Sequence, residues 1–109
     1  MDTAADARRR LETAFGQRLG IFYRALSITP PYHSVEKAKL LLRERLTPLT
    51  FPDLQRLLAD DAVMSGLFGQ IVGDSGLAKK HRGIVQALLA ADPDRIPPEC
   101  RALGDAYRR

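Results

Sequence analysis

The chain has one cysteine, two histidines and no asparagine among its 109 residues, and each shortage narrows what it can do. A lone Cys100 cannot form an intrachain disulfide, which fits a reducing compartment and therefore the cytoplasm. His33, His81 and Cys100 show no ligand spacing, so a zinc site would have to recruit several carboxylates. No run approaches the roughly 20 apolar residues that cross a bilayer. The first residues, with Asp2, Asp6 and Arg8 to Arg10, lack the apolar centre of a signal peptide. The glycines at 66, 69, 73 and 76 have neither the spacing nor the lysine of a phosphate-cradling loop. No cofactor, metal, small-molecule substrate or membrane partner is expected.

Catalytic groups are equally sparse. Cys100 as a nucleophile would need a histidine base held by a third group. Near Leu103 on a helix it reads as a small apolar filler. Asp60 and Asp61 are adjacent, and adjacent residues on a helix do not face each other, so they read as caps. His33, beside Pro31 and Ser34 in a connection, reads as a surface or capping residue. His81 falls in Lys79-Lys80-His81-Arg82 and reads as part of a solvated basic face. The chain is not expected to be an enzyme.

What is present is helical pattern broken by capping residues. With 45% apolar and 28% charged residues the composition is that of one ordinary globular domain. Residues 1–30 form an N-terminal helix and connection, with Leu11, Phe15, Leu19, Phe22 and Leu26 on one stripe. Gly16 and Gly20 each cost about 1 kcal/mol against Ala in a helix interior and read as a bend rather than a close crossing. Pro30-Pro31 ends the segment.

Residues 34–89 hold the central helices, expected at Val35–Leu46, Pro52–Leu58, Ala62–Val72 and Leu77–Leu89. Ser34 is the expected cap of the first, and Thr50 with Asp53 makes a capping-box start for the second. Asp60 or Asp61 caps the third, Gly73 ends it, and Asp74 or Ser75 begins the fourth. Their inward residues are Val35, Ala38, Leu41, Leu42 and Leu46; Leu54, Leu57 and Leu58; Val63, Leu67, Phe68, Ile71 and Val72; and Leu77, Ile84, Val85, Leu88 and Leu89. Residues 97–109 add a last helix around Cys100, Leu103 and Tyr107. No stretch alternates with period two for long enough to make a strand. The fold expected is an all-α, single-domain bundle of five to six short helices.

Charge is uneven. Arg8 to Arg45 carry nine Lys or Arg against three Glu, a net of +6, while the whole chain carries +4. Lys37, Lys39, Arg43, Lys79, Lys80 and Arg82 are the candidate positive face; Asp60, Asp61, Asp92 and Asp94 are the candidate negative one. Such a surface suits contacts between oppositely charged faces of two copies or of related helical domains. The alternative is a small basic regulator that sets Lys79 to Arg82 against nucleic acid phosphates. Without asparagine, and with aromatics on the apolar stripes, base readout and stacking are poorly served.

The stretch Leu46-Thr47-Pro48-Leu49-Thr50-Phe51-Pro52-Asp53-Leu54, then Leu57-Leu58, Met64, Leu67-Phe68, Ile71, Gly76 and Ile84 to Leu89, resembles a death-fold domain of the caspase-recruitment type or its bacterial death-like counterparts. The resemblance covers about Ser34 to Leu89 and is one of apolar spacing. It implies a six-helix bundle, homotypic assembly through charged faces, an adaptor role and a place in bacterial defence signalling.

Overall fold

Six helices account for most of the computed structural model, which describes residues 3–108; Asp2 lies outside the described residues. They are α1 (Thr3–Ala25), α2 (Tyr32–Leu46), α3 (Phe51–Ala59), α4 (Asp61–Ser75), α5 (Leu77–Ala91) and α6 (Arg101–Arg108), with 3₁₀ turns at Pro93–Arg95 and Pro98–Cys100 before α6. No strand occurs among the described residues. The protein is an all-α, single-domain helical bundle.

The most apolar helix, α4, takes the central place and packs against α6, α2, α5 and α3, while α1 lies along α2 and α3. At Gly69 of α4 the α6 backbone comes so near that an added Cβ would stand 3.0 Å from the Ala102 carbonyl oxygen, which fixes the α4–α6 crossing. The predicted α1 stripe is buried throughout: Leu11, Phe15, Leu19, Phe22 and Leu26. Phe15 meets Phe68 edge-on at 5.0 Å between ring centres, and Phe22 stacks on Tyr107 at 5.4 Å.

Several local expectations hold and several do not. Thr50 and Asp53 form a reciprocal capping box. The Asp60 side chain accepts from the backbone N–H groups of Ala62 and Val63 and caps α4. Ser34, however, lies inside α2, which begins at Tyr32 behind an uncapped Pro31; His33 is thus helical, and exposed. Neither Gly73 nor Asp74-Ser75 breaks the chain. Helix α4 runs on through Ser75, and Gly76, at φ 85°, makes the left-handed turn into α5.

Helix α1 runs unbroken past Gly16 and Gly20, whose absent Cβ atoms face open space, so neither serves a close crossing. It stops before Pro30-Pro31. Ser27 turns left-handed at φ 57°, the Ile28 N–H reaches the Tyr23 carbonyl and the Ser27 N–H reaches that of Arg24. That is a Schellman closure, here without its usual glycine. Three residues expected inside are exposed: Leu58, Val63 and, most of all, Ile84. Cys100 is buried as expected, but in the turn before α6 rather than on the helix.

Candidate interaction surface on the outer face of α5

The charged residues fall into two populations, those paired within the molecule and those left to solvent. The most heavily bonded side chain of the first kind stands between the apolar positions of α1. Arg18 stands on the core side of α1, its side chain 11% exposed. One guanidinium nitrogen donates to Ser65 Oγ and to the Glu99 carbonyl, both at 2.7 Å, and the other donates to an Asp61 carboxylate oxygen. Its planar head also lies 5.5 Å from the centre of the Phe68 ring. Below it the Cys100 thiol donates to the Arg18 carbonyl at 3.5 Å, and burial pushes that thiol up to about 11. One arginine thus joins α1, the start of α4 and the turn before α6.

The ten candidate site residues divide accordingly. Asp60 is the α4 cap, and Asp61 is held by Arg18, although both remain exposed. Arg43 donates to Glu12 at 2.7 Å across the α1–α2 contact, and Lys39 lies 3.7 Å from Glu36. The Glu12 hydrogen bond raises the Arg43 guanidinium above its ordinary value. Lys37, Lys79, Lys80 and Arg82 are exposed and make no ion pair among the described residues. The same is true of Asp92 and Asp94, which stand just past the end of α5. The six cations therefore sit on two helices, α2 and α5, and the four acids at two places, the start of α4 and the end of α5.

Of the unpaired residues, all but Lys37 lie on α5 or just after it. Its inner arc is Leu77, Ala78, Val85 and Leu89. Its outer arc runs Lys79, Lys80, Gly83, Ile84, Ala87, Ala90 and Ala91, with Ile84 exposed at 57%. From Gly83 to Ala91 there is no charged residue on either side of the helix. Ordinary surface helices carry charge on the solvent side, so an outer arc that is uncharged beyond Lys80 stands apart; Asp92 and Asp94 follow the last residue of the helix. Lys79 and Asp92 are 13 positions apart, about 20 Å along the axis at 1.5 Å per residue.

Those end charges also oppose the helix dipole. Lys79 and Lys80 fall in the first turn, where the backbone N–H groups are electropositive, and Asp92 caps the electronegative end. The first turn holds no acid and the last no base. An intramolecular role would favour the reverse placement. His81 departs from its reading as part of the solvated face: it is half-buried, its ring edge-on to Tyr23 at 6.1 Å, with Nδ1 enclosed and unbonded.

A concavity of about 630 Å³ opens between α3 and α4 over Leu49, Leu57, Val63 and Leu67. Of the charges at its rim, Arg45 is held by Asp74 and Asp53 by the Thr50 cap, which leaves Arg56. No group of three or more His, Cys, Asp or Glu among the described residues is placed to hold a metal, and no described helix is long and apolar enough to cross a membrane. Comparison with family models, with curated proteins and with solved structures finds no match to this chain.

Proposed function

We propose that the protein is a non-enzymatic helical interaction module, an adaptor that docks a helical protein partner, another copy or a related domain, on the outer face of α5. One observation carries this reading: an uncharged, exposed helix arc lies between unpaired cations and unpaired carboxylates, both set against the helix dipole. A partner that brings opposite charge to each end would relieve that placement and cover Ile84. The death-fold resemblance, with its homotypic charged contacts, supports the same reading and is the ground for a role in bacterial defence signalling.

The test is protection of the face in intact cells. Ala87→Cys, treated with a cell-permeant maleimide, should be labelled at least fivefold more slowly than the exposed control Glu44→Cys, and adding Lys79→Glu and Lys80→Glu should remove the protection. The native Cys100 is buried and does not compete. Equal labelling of the two positions in cells would overturn the reading.

The nucleic-acid reading keeps one supporting observation, the three unpaired cations Lys79, Lys80 and Arg82 in the first two turns of α5. It predicts a mobility shift of DNA or RNA at about 50 mM salt and micromolar protein that weakens steeply as salt rises. No shift under those conditions removes it.

A further inference from the structure

We infer that the occupant of the α5 face is a second copy of this chain, bound with its α5 antiparallel across a two-fold axis. This rests on the reading of α5 as a docking surface and names the partner. In an isologous contact, residue i of one copy meets residue j of the other while j meets i, so a surface binds itself only if it is self-complementary. Along α5 the charges have that property. Two lysines precede the uncharged arc and two aspartates follow it, with nothing charged between Arg82 and Asp92.

Laid antiparallel, the arc sets Lys79 and Lys80 of each copy opposite Asp94 and Asp92 of the other. Four attractive pairs form, and none of these eight residues meets a like charge among them. A parallel arrangement would set lysine against lysine and aspartate against aspartate. The same reversal sets the two helix dipoles antiparallel and places each copy's lysines beside the other's electronegative helix end, where cations are favoured.

The middle of the contact fits as well. The midpoint between Lys80 and Asp92 is position 86, so Ala87 is the outer-face residue nearest the axis. Gly83 and Ala87 put no long side chain between the helices, which permits an axis separation at the short end of the usual 8–10 Å. Ile84, the most exposed aliphatic residue on the α5 face, gains the cover that its own fold does not give it. A contact confined to one helix face is at the small end of specific interfaces, so micromolar, salt-sensitive association is expected.

Purified full-length chain in sedimentation equilibrium should form dimers at low salt and dissociate at high salt. Lys79→Glu/Lys80→Glu and Asp92→Lys/Asp94→Lys should each raise the dissociation constant at least tenfold, with folding checked by circular dichroism. An equimolar mixture of the two variants, whose four pairs are attractive again, should dimerise at least as well as the native chain. Ala87→Cys should form a disulfide dimer in oxidised glutathione, and Glu44→Cys should not. A monomer at every concentration, a mixture that stays monomeric, or no cross-link through the Ala87→Cys thiol overturns the antiparallel pair. Protection of Ala87→Cys in cells alongside a purified monomer would overturn the second copy alone and leave the docking surface standing.

Discussion

Arg18 and the outer arc of α5 are opposite solutions to carrying charge on one small bundle. At Arg18 a cation is taken out of water and given acceptors from two elements, Asp61 and Ser65 of α4 and the Glu99 carbonyl, with Phe68 against its face. At the two ends of α5, Lys79, Lys80, Asp92 and Asp94 keep their water and have no ion-pair partner among the described residues, and Lys79, Lys80 and Asp92 oppose the dipole of that helix. The contrast separates charge that the fold consumes from charge that it leaves available. Asp60, Asp61, Lys39 and Arg43, which sequence alone places on contact faces, are exposed and also paired within the fold.

The sharpest way to break the comparison is to remove the inner anchor. Arg18→Ala deletes the charge-assisted hydrogen bonds to Asp61, Ser65 and Glu99 and the stem beside Phe68. A loss of about 3 kcal/mol is therefore expected in urea denaturation. Arg18→Met keeps the stem and should lose less. Arg18→Lys should restore little, because a point-like ammonium cannot serve acceptors that a planar fork spans. A loss for Arg18→Ala within the scatter of surface substitutions would mean that the anchor is no more structural than the α5 lysines.

A second test concerns the buried hydroxyls beside α5. Tyr23 and Tyr107 share a hydrogen bond inside the core, and Tyr23 also faces His81. Tyr23→Phe leaves the Tyr107 hydroxyl enclosed without its partner and should cost about 1–2 kcal/mol, while Tyr23→Phe/Tyr107→Phe should cost less than the two single changes added. Burial raises both phenols above 10.0 and lifts the Cys100 thiol from 9.0 to about 11. Groups raised in the folded state lose their protons first in the unfolded chain. Their contribution is therefore complete below the ordinary values and falls as pH climbs from about 9 upward. The urea midpoint should drop between about pH 8 and pH 10.5, less steeply for Tyr23→Phe/Tyr107→Phe; a flat midpoint contradicts it.

How much of this could be read in advance follows from the range of each interaction. The α1 stripe, the Thr50–Asp53 box and the Asp60 cap were legible because each is set by neighbours within four residues. Arg18 was not, since its partners lie 43, 47 and 81 positions away and periodicity carries no pairing information. A signal was nonetheless present: Leu11, Phe15, Arg18 and Phe22 are spaced four, three and four, so a cation occupied a core position. The α5 face was half legible. Its end charges stand out in the sequence, but the apolar pattern puts Ile84 inside, because it sets the four apolar residues from Ile84 to Leu89 on one face. The inner arc of α5 admits only Val85 and Leu89 of them fully, since residues one apart on a helix differ by about 100° in direction. The absence of charge from Gly83 to Ala91 is visible in the sequence and gains meaning only once half of that stretch is known to face water.

The smallest expected effect separates the two regions most cleanly, because it has opposite signs in two measurements. Lys79→Glu/Lys80→Glu puts acids in the first turn of α5, beside the electropositive helix end. At concentrations too low for association, each substitution should raise stability by about 0.3–1 kcal/mol, an increment that salt reduces. The same protein should lose its self-association. Residues retained for the fold cannot behave this way: replacing Arg18 or Asp61 should weaken the bundle and improve nothing. Should the double glutamate chain melt below the native one, the lysines serve the fold, and the division between consumed and available charge fails at α5.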